Sequence, residues 1–406
     1  MHGILIAVLS AATLVMLLPV LVFAGEIVLA LLPAPRPARE GVITRPALAV
    51  LVPAHNEALA ITATLQTLLP QLRSDDRLLV IADNCSDETA AVAAAAGAEV
   101  IERHDTQQRG KGFALDFGVR HLSQRPPEVL IIVDADCEVA AGCIERLASL
   151  CAARGRPIQG RYRMHLPPAA GALRRIAQFA WVVRNEVRPR GLARVGFPCQ
   201  LMGSGMAFPW PTVAGGRLAS GHLVEDLQLG LELAQAGSAP LFCPDALVSS
   251  VFPASAAGVT SQRRRWEHGH LSVLCAHGPR LLLRALARHD AAALALTLDL
   301  LVPPVALLTL LTGALWGVDL AAWRLLGSAL PLLYGSIALG LLFMAVLLAW
   351  LRFGRRIVSF ATLLLACVYA LGKLPLYARF IGARQVEWVR SRRDGEGGSG
   401  GSAKPH

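Results

Sequence analysis

The sequence predicts an α/β domain with a mixed, mostly parallel sheet, inserted between membrane-spanning helices. Three observations support this fold class. Hydrophobic residues make up 54% of the 406 residues and charged residues only 17%, and the mean hydropathy of +0.49 is too high for an ordinary soluble protein. Between two apolar ends, short apolar runs alternate with helical segments, which is the pattern of a doubly wound sheet. Three of these runs end in clusters of polar residues.

The chain is strongly basic, with a formal net charge of +10 and a pI near 9.7. Such a charge is typical of proteins that bind nucleic acid or lie against an anionic membrane leaflet. The high hydropathy favours the membrane, so we expect no nucleic-acid partner. Eight cysteines are scattered without a Cys-x-x-Cys pair, which indicates reduced thiols rather than a disulfide framework or a zinc site.

The amino-terminal segment is predicted to be a retained membrane helix over residues 1–32. Residues 4–25 carry no charge for 22 positions, which is long enough to cross a bilayer. A cleaved signal peptide is the alternative, but Met1-His2-Gly3 lacks the basic start that it would need. Residues 33–46 form a proline-rich linker with Arg36 and Arg39, and the positive-inside rule places the following domain in the cytoplasm.

Residues 47–255 alternate between predicted strands and helices. The strands are expected at 47–52, 78–82, 99–102 and 129–133, and the helices between them at 61–72, 88–96 and 112–122. Because the carboxyl ends of parallel strands meet at one edge of a sheet, the polar residues that follow three of them should share one crevice. These residues are 53–57, 83–87 and 134–136.

Asp134-Ala135-Asp136 directly follows the apolar strand at 129–133. Two carboxylates at the carboxyl end of a strand are hard oxygen ligands, which suit Mg²⁺ or Mn²⁺. Taken alone, the pattern is equally typical of a solvated turn. The assignment of a metal site therefore depends on support from the rest of the chain.

Three further segments each have a functional and a structural interpretation. Arg109-Gly110-Lys111-Gly112 precedes a helix, where it would either meet a phosphate group or form a basic loop without contacts. Gly203-Ser204-Gly205 is either a place of close backbone approach or a flexible turn. Glu225 and Asp226 open a helix, where acids either favour the macrodipole or supply a general base.

A polar helix is predicted over 256–274, within a region of interfacial helices at 256–290. Helical spacing puts Gln262, Arg265 and Trp266 on one face. An arginine there can neutralise a pyrophosphate and an indole can stack on a sugar ring, although a basic interfacial helix has the same spacing. A second amphipathic helix, at the membrane surface, is predicted over 174–187.

The carboxyl-terminal region, 291–378, is predicted to contain membrane-spanning and interfacial helices. Residues 300–318 and 325–351 are uncharged and long enough to cross, whereas 357–372 has only 16 uncharged residues. Arginines on both sides of 357–372 favour the cytoplasm, so this segment is interfacial or re-entrant, or the tail breaks the rule. Residues 379–406 form a basic and then flexible tail.

Taken together, the order of these motifs resembles the family-2 glycosyltransferases. The resemblance rests on residues 53–57, 83–87, 134–136, 203–205, 225–226 and 262–266. It is closest to the membrane-embedded branch that includes cellulose, chitin and hyaluronan synthases and ceramide glucosyltransferase. It implies an A-type glycosyltransferase domain that binds a nucleotide-sugar and transfers a hexose with inversion.

The resemblance also implies roles for individual residues. Donor binding falls to Pro53, Ala54, Glu57, Asp83, Lys111, Asp134 and Arg265, the first four around the uridine of a UDP-sugar. Asp136 would ligate Mg²⁺ or Mn²⁺, and Asp226, with Glu225 beside it, would take the proton from the acceptor. The diphosphate and the acceptor would be bound by Gly203, Ser204, Gln262, Arg265 and Trp266.

The predicted function is therefore transfer of sugar from a UDP-sugar to a lipid or growing glycan at the inner or plasma membrane, in exopolysaccharide or glycolipid synthesis. A polyprenyl-phosphate sugar synthase shares the fold and is the nearest alternative. A nucleotide-binding scaffold or transporter component is the alternative from another class, but it would not need Asp226 or the Gln262 face. The sugar, the linkage, the processivity and the oligomeric state stay open.

Overall fold

A computed structural model of the protein describes residues 2–33, 45–167 and 170–382. Its centre is an eight-stranded sheet with the strand order β3-β2-β1-β4-β7-β6-β8-β5. The strands are β1 Leu48–Ala54, β2 Arg77–Asp83, β3 Glu99–Arg103, β4 Val129–Ile132, β5 Glu138–Val139, β6 Ile158–His165, β7 Met206–Pro209 and β8 Leu241–Val251. β7 and β5 are antiparallel to their neighbours, and all other pairs are parallel. The predicted mixed, mostly parallel sheet is thus confirmed.

Helices cover both faces of the sheet and extend from its flank. Those of the α/β domain are α2 Ile61–Leu68, α3 Thr89–Ala95, α4 Lys111–Leu122, α5 Cys143–Arg154, α6 Ala172–Val182, α7 Arg188–Arg194, α8 Trp210–Val213 and α9 Glu225–Gln235. The others are α1 His2–Leu31, α10 Ala256–Ala287, α11 Ala291–Leu301, α12 Val305–Leu326, α13 Leu330–Ala349, α14 Phe360–Leu363, α15 Ala366–Leu371 and α16 Leu374–Gly382. Between α6 and α7, Val183–Val187 forms a π-helical turn.

The central strands β1 and β4 are apolar along their whole length because both faces are covered. In β1, Leu48, Val50 and Val52 point into one core and Ala49 and Leu51 into the other. The first core packs against α2 and α5, and the second against α4 and α9. Alternation of side chains between the two faces therefore needs an apolar residue at every position.

Four helical segments are long and apolar enough to cross a membrane: His2–Leu31, Val305–Leu326, Leu330–Gly354 and Phe360–Gly382. Two of these helices begin later than the uncharged runs in the sequence. The uncharged run from residue 300 contains a helix that begins at Val305, after Pro303 and Pro304. The run from residue 325 contains a helix that begins at Leu330, because Gly327 adopts a φ of +75° between the two helices.

The helix predicted over 174–187 is present as α6 and the π turn. Its apolar residues pack with α1 and α13 in one cluster, which includes Phe179, Val182, Phe23 and Leu342. This helix therefore joins the α/β domain to the candidate membrane helices. Arg36 and Arg39 of the predicted linker and residues 383–406 of the predicted tail lie outside the described residues, so these two predictions are untested.

α10 is longer than predicted and packs against the last helical segment. It continues through Pro279 to Ala287, whereas the predicted helix ended at residue 274. Glu267 of α10 accepts hydrogen bonds from Lys373 Nζ at 2.5 Å and from Tyr377 Oη at 2.6 Å. His268 contacts the backbone oxygen of Leu376 at 3.0 Å. Residues 373–377 thus pack against α10. Whether the segment that contains them spans the membrane or lies at its surface stays a prediction.

We expect Lys373→Met to destabilise the protein by about 3–5 kcal/mol, because it leaves the buried Glu267 carboxylate without its cation. Thermal unfolding of the detergent-solubilised protein measures this loss. Arg355→Met, which removes an exposed arginine, is the matched control. Adding Glu267→Gln to Lys373→Met should restore part of the stability. Equal unfolding temperatures for the single and double variants would contradict this account.

Candidate active site

The ends of β1, β2 and β4 open into one cavity of about 1060 Å³. Almost every site residue predicted from the sequence lines it: Pro53, Ala54, Glu57, Asp83, Lys111, Asp134, Asp136, Gly203, Glu225, Asp226, Gln262, Arg265 and Trp266. Ser204 is the exception, since it is fully buried behind the wall. Its Oγ accepts a hydrogen bond from the backbone N–H of Asp134 at 3.1 Å and so supports that residue from behind.

Polar contacts connect the segments that follow β1 and β2, at one end of the cavity. Asp83 Oδ1 accepts a hydrogen bond from Arg103 Nη1 at 2.7 Å. The imidazole of His55 lies 2.6 Å from the backbone oxygen of Asp83. Asn56 and Asn84 both adopt positive φ angles, of 54° and 51°, which turn the chain sharply at the ends of the two strands. These turns bring the two predicted nucleotide-binding segments together.

Asp134, Asp136 and Cys137 form a group whose potential ligand atoms all lie within 4.8 Å of one another. Asp136 is oriented by a hydrogen bond of 3.2 Å from Ser250 Oγ. Burial raises the pKa of the Cys137 thiol well above its ordinary value, so the two carboxylates are the better donors. Two carboxylate oxygens at the wall of a polar cavity fit Mg²⁺ or Mn²⁺, which take few protein ligands beside water and phosphate oxygens.

Lys111 lines the cavity and connects two of its segments. Its amine forms an ion pair with Asp134 and donates a hydrogen bond of 2.6 Å to the backbone oxygen of Gly203. Burial disfavours its charge, but Asp134 and the two acids at the start of α9 outweigh burial and raise the pKa of the amine. Gly112 behind it leaves no room for a side chain, because a Cβ would lie 2.5 Å from the oxygen of Ser220. Of the two cations in this segment, only Lys111 reaches the cavity.

Glu225 and Asp226 begin α9 and both face the cavity. Helical rotation by about 100° per residue predicts that these two side chains point in different directions, whereas both line the cavity. Burial raises the pKa of Asp226, against the nearby Lys111, which lowers it. Burial and the neighbouring Asp226 raise the pKa of Glu225 to about 7. The pair therefore holds a proton more readily than exposed carboxylates do.

Gly203 makes room for this pair. It has a φ of +90°, and a Cβ at this position would approach Asp226 Oδ2 to 3.3 Å. The other carboxylate oxygen of Asp226 accepts a hydrogen bond of 2.8 Å from the backbone N–H of Leu227. A glycine is thus required here by both conformation and space. Of the two interpretations of residues 203–205, the close approach is the one that the structure supports.

We expect the pH profile of turnover to report this acid pair. A carboxylate must be ionised to accept a proton, so activity should fall as the pH drops through pKa values above the ordinary 3.9 to 4.3 of Asp and Glu. An upper inflection should lie near 7, the pKa of Glu225, and should disappear in Glu225→Gln. Steady-state rates at saturating Mn²⁺ measure this. A flat profile across the acidic range, or an unchanged inflection in Glu225→Gln, would contradict the assignment.

α10 closes the opposite wall of the cavity. Gln262, Arg265 and Trp266 line it, as their spacing predicts, whereas Arg263 turns away and lies over the Tyr369 ring at 5.4 Å. The indole of Trp266 packs on that of Trp181, with ring centroids 4.6 Å apart. Trp181 also contacts Tyr162 and Phe252. No pattern in the sequence groups these three aromatic residues with Trp266, because they come from β6, α6 and the segment after β8.

The cavity continues toward the candidate membrane helices along residues that the sequence analysis did not assign. These residues are Arg184, Asn185, Arg188, Gln200, His270 and Asp299. Arg188 is buried and donates hydrogen bonds to Glu26 Oε2 of α1 at 2.5 Å and to Asp299 Oδ1 at 2.6 Å. One signal for this end of the cavity was available in the sequence: Asp299 is a charged residue at the edge of an apolar segment. The structure shows that it serves a buried ion pair.

Comparison with known proteins agrees with this architecture. The model of the family described as Glycosyltransferase like family 2 matches residues 46–269. Among solved structures, the mannosyltransferase PcManGT from Pyrobaculum calidifontis, in complex with GDP-Man and Mn²⁺, has a TM-score of 0.51 and 19% identity, covering 90% of this chain and 98% of that one. It is similar in fold. No curated protein matches the sequence significantly.

A second solved structure, the glucosyl-3-phosphoglycerate synthase from Mycobacterium tuberculosis with Mn²⁺, UDP and phosphoglyceric acid, has a TM-score of 0.39 and 19% identity. It covers 56% of this chain and 78% of that one. The family match includes the three strand ends, the acids of α9 and the cavity-facing residues of α10. Because this match spans more than half of the sequence, the chain belongs to glycosyltransferase family 2 and is a glycosyltransferase.

Proposed function

We propose that the protein is an inverting membrane glycosyltransferase that transfers a sugar from a UDP-sugar to a lipid or glycan acceptor. The observation that carries the proposal is one cavity that contains three groups: the carboxylates of the candidate metal site, a half-buried lysine and an acid pair. The cavity is also walled by residues that contact candidate membrane helices. This arrangement supports a donor that enters from the aqueous side and an acceptor that arrives from the membrane.

The donor nucleotide would lie along the ends of β1 and β2. Pro53, Ala54 and Glu57 line one side of this space and Asp83 the other. Its diphosphate would then reach Lys111 and Arg265, two cations that face the same region of the cavity. A Mg²⁺ or Mn²⁺ ion held by Asp136, beside Asp134, supplies charge neutralisation for the diphosphate when bound. Arg265 adds a planar guanidinium suited to phosphate oxygens.

Transfer would proceed by direct displacement at the anomeric carbon. The acceptor oxygen forms the new bond while the bond from the anomeric carbon to the diphosphate oxygen breaks, and UDP leaves with the electron pair. The proton of the acceptor hydroxyl passes to the carboxylate of Asp226, and one such base is sufficient for inversion. Trp266, packed on Trp181, offers an indole beside the reacting sugar.

The membrane placement is part of the proposal. α1 would anchor the chain in the inner or plasma membrane, and the α/β domain would lie on the cytoplasmic side. Arg352, Arg355 and Arg356, which follow α13, and Arg379 in α16 would then share that side. The contacts of residues 373–377 with α10 support this arrangement, because α10 belongs to the catalytic cavity.

The test is release of nucleoside diphosphate by the purified protein from a panel of UDP-sugars, with GDP-mannose as the competing donor. We expect UDP release from at least one UDP-sugar, with dependence on Mn²⁺ or Mg²⁺. The Asp226→Asn variant is the control for contaminating activity. Release from GDP-mannose alone would refute the uridine assignment, and release from no donor would refute the proposed activity.

A further inference from the structure

The membrane-side end of the cavity contains polar groups that the reaction described above does not use. Arg184 and Asn185 come from the π turn between α6 and α7, and Gln200 comes from the segment before β7. A π turn inserts an extra residue into a helix, and such turns are frequent at functional sites. Here the turn allows two consecutive side chains to line the same wall.

Two of these groups lack hydrogen-bond partners within the described part of the chain. Asn185 is only 5% exposed, and its amide nitrogen has no acceptor. Gln200 Oε1 has no donor, although its Nε2 donates to the backbone oxygen of Leu296 at 2.9 Å, which fixes the orientation of the amide. Buried polar atoms without partners are rare in folded proteins. Two on the wall of one cavity indicate that a ligand completes them.

Arg184 is the third polar group at this end of the cavity. It forms no ion pair among the described residues. Its guanidinium contacts the imidazole of His270, with Nη2 3.4 Å from Nδ1. Burial and the nearby Arg184 lower the pKa of His270 well below its ordinary value, so the imidazole stays uncharged. The guanidinium therefore keeps donors available for a ligand.

Asp226 and Arg184 line the same cavity. Asp226 lies beside Gly203, whose backbone oxygen accepts a hydrogen bond from Lys111 on the donor side. Arg184 directly follows Val182 and Val183, which pack in the cluster with α1 and α13. An acceptor bound at Arg184 would therefore share the cavity with the proposed base.

The same end is bordered by the membrane helices. Pro189 and Leu192 of α7 line it, and α7 packs directly on α1, since a Cβ at Gly191 would lie within 2.0 Å of the backbone oxygen of Glu26. A molecule anchored in the bilayer can thus present a polar headgroup here without leaving the membrane.

We infer that Arg184, Asn185 and Gln200 form an acceptor subsite for a neutral, hydroxyl-rich headgroup, such as the sugar of a glycolipid. The inference rests on the proposed function. The arginine and the asparagine offer donors and the glutamine offers an acceptor, which together match neighbouring hydroxyls that both accept and donate. The unpartnered Gln200 Oε1 needs a donor, which a hydroxyl group supplies and an ionised phosphate oxygen does not.

The test compares three acceptors in phosphatidylcholine vesicles: a monoglucosyl diacylglycerol, a diacylglycerol and a polyprenyl phosphate. The protein is supplied with the UDP-sugar that it hydrolyses. We expect transfer to the glycolipid to be preferred. In Asn185→Ala and in Gln200→Leu, the KM for the glycolipid should rise about tenfold, the effect of one lost hydrogen bond, while the donor KM and acceptor-free UDP release stay unchanged.

Gln124→Leu, which alters an exposed amide outside the cavity, is the matched control. The two test variants lie in different elements, so a folding defect in one leaves the other informative. An unchanged acceptor KM in both, a raised donor KM, a preference for polyprenyl phosphate, or UDP release without transfer to the glycolipid would each overturn the subsite. Absence of UDP release by the wild-type protein would instead refute the proposed function.

Discussion

Replacing Asp226 by asparagine is expected to reduce sugar transfer by roughly 10²- to 10⁴-fold, the usual contribution of a general base. The asparagine has the same shape and can still accept the hydrogen bond that Leu227 donates to Oδ1. It cannot take a proton at neutral pH. Nucleotide binding should persist, because the donor-facing groups are on β1, β2, β4 and α4. The loss should therefore appear in kcat rather than in affinity.

Calorimetric titration with UDP, in parallel with transfer assays, separates these two quantities. Glu225→Gln is the matched control, since it changes the adjacent carboxyl group in the same cavity. It should retain more turnover than Asp226→Asn at neutral pH, because it leaves the proposed base in place. If Asp226→Asn keeps substantial transfer while Glu225→Gln is inactive, Glu225 is the base.

The second large effect is expected for Asp136→Ala, which should abolish transfer and also weaken UDP binding. Asp136 and Asp134 are the hard oxygen donors of the candidate metal group, and without the metal only Lys111 and Arg265 would be left to neutralise the diphosphate. The change leaves the Ser250 hydroxyl without its 3.2 Å acceptor, a smaller perturbation. Loss of both binding and turnover would distinguish this residue from Asp226.

Mn²⁺ binding followed by electron paramagnetic resonance gives a readout that is independent of activity. Asp75→Ala, which removes an exposed aspartate, is the control and should bind Mn²⁺ as the wild type does. Removal of metal with EDTA should reproduce the Asp136→Ala behaviour in the wild-type protein. Full activity in EDTA would exclude the metal assignment.

The parts of this site that were predictable from the sequence are those encoded by contiguous residues. The end of β4 was identified because an uninterrupted apolar run stops at two aspartates. The cavity-facing side of α10 followed from helical spacing alone. By contrast, β6 was not predicted, because Arg161 and Arg163 alternate with its buried residues and resemble a basic surface segment. In the structure both arginines pair with Glu186, a contact that no local pattern contains.

The membrane-side end of the cavity was equally inaccessible to local reasoning. The π turn that presents Arg184 and Asn185 has no residue signature, and the ion pair of Arg188 with Glu26 joins positions 162 residues apart. The continuation of α10 beyond Pro279 likewise depends on packing against α9 and α11, which includes Leu281, Leu231 and Leu296. Tertiary packing determines these features, and local propensity does not.

The ion pair between Arg188 and Glu26 has a consequence for the autonomy of the catalytic domain. A chain trimmed to begin at Arg45 would lose the carboxylate of α1, leaving Asp299 alone beside the buried guanidinium. It would also expose the α7 surface that Gly191 holds against α1. Removing one partner of such a buried pair costs about 3–5 kcal/mol, a large share of the stability of a typical domain.

The first helix is therefore better regarded as a folding subunit than as a tether. We expect the trimmed chain to unfold at a lower temperature or to aggregate, and a separately expressed α1 segment to rescue it by fragment complementation. The rescue should fail when the segment carries Glu26→Ala, whereas Ser10→Ala in the same helix should leave it intact. In that sense the anchor and the catalytic domain are two pieces of one cooperative unit.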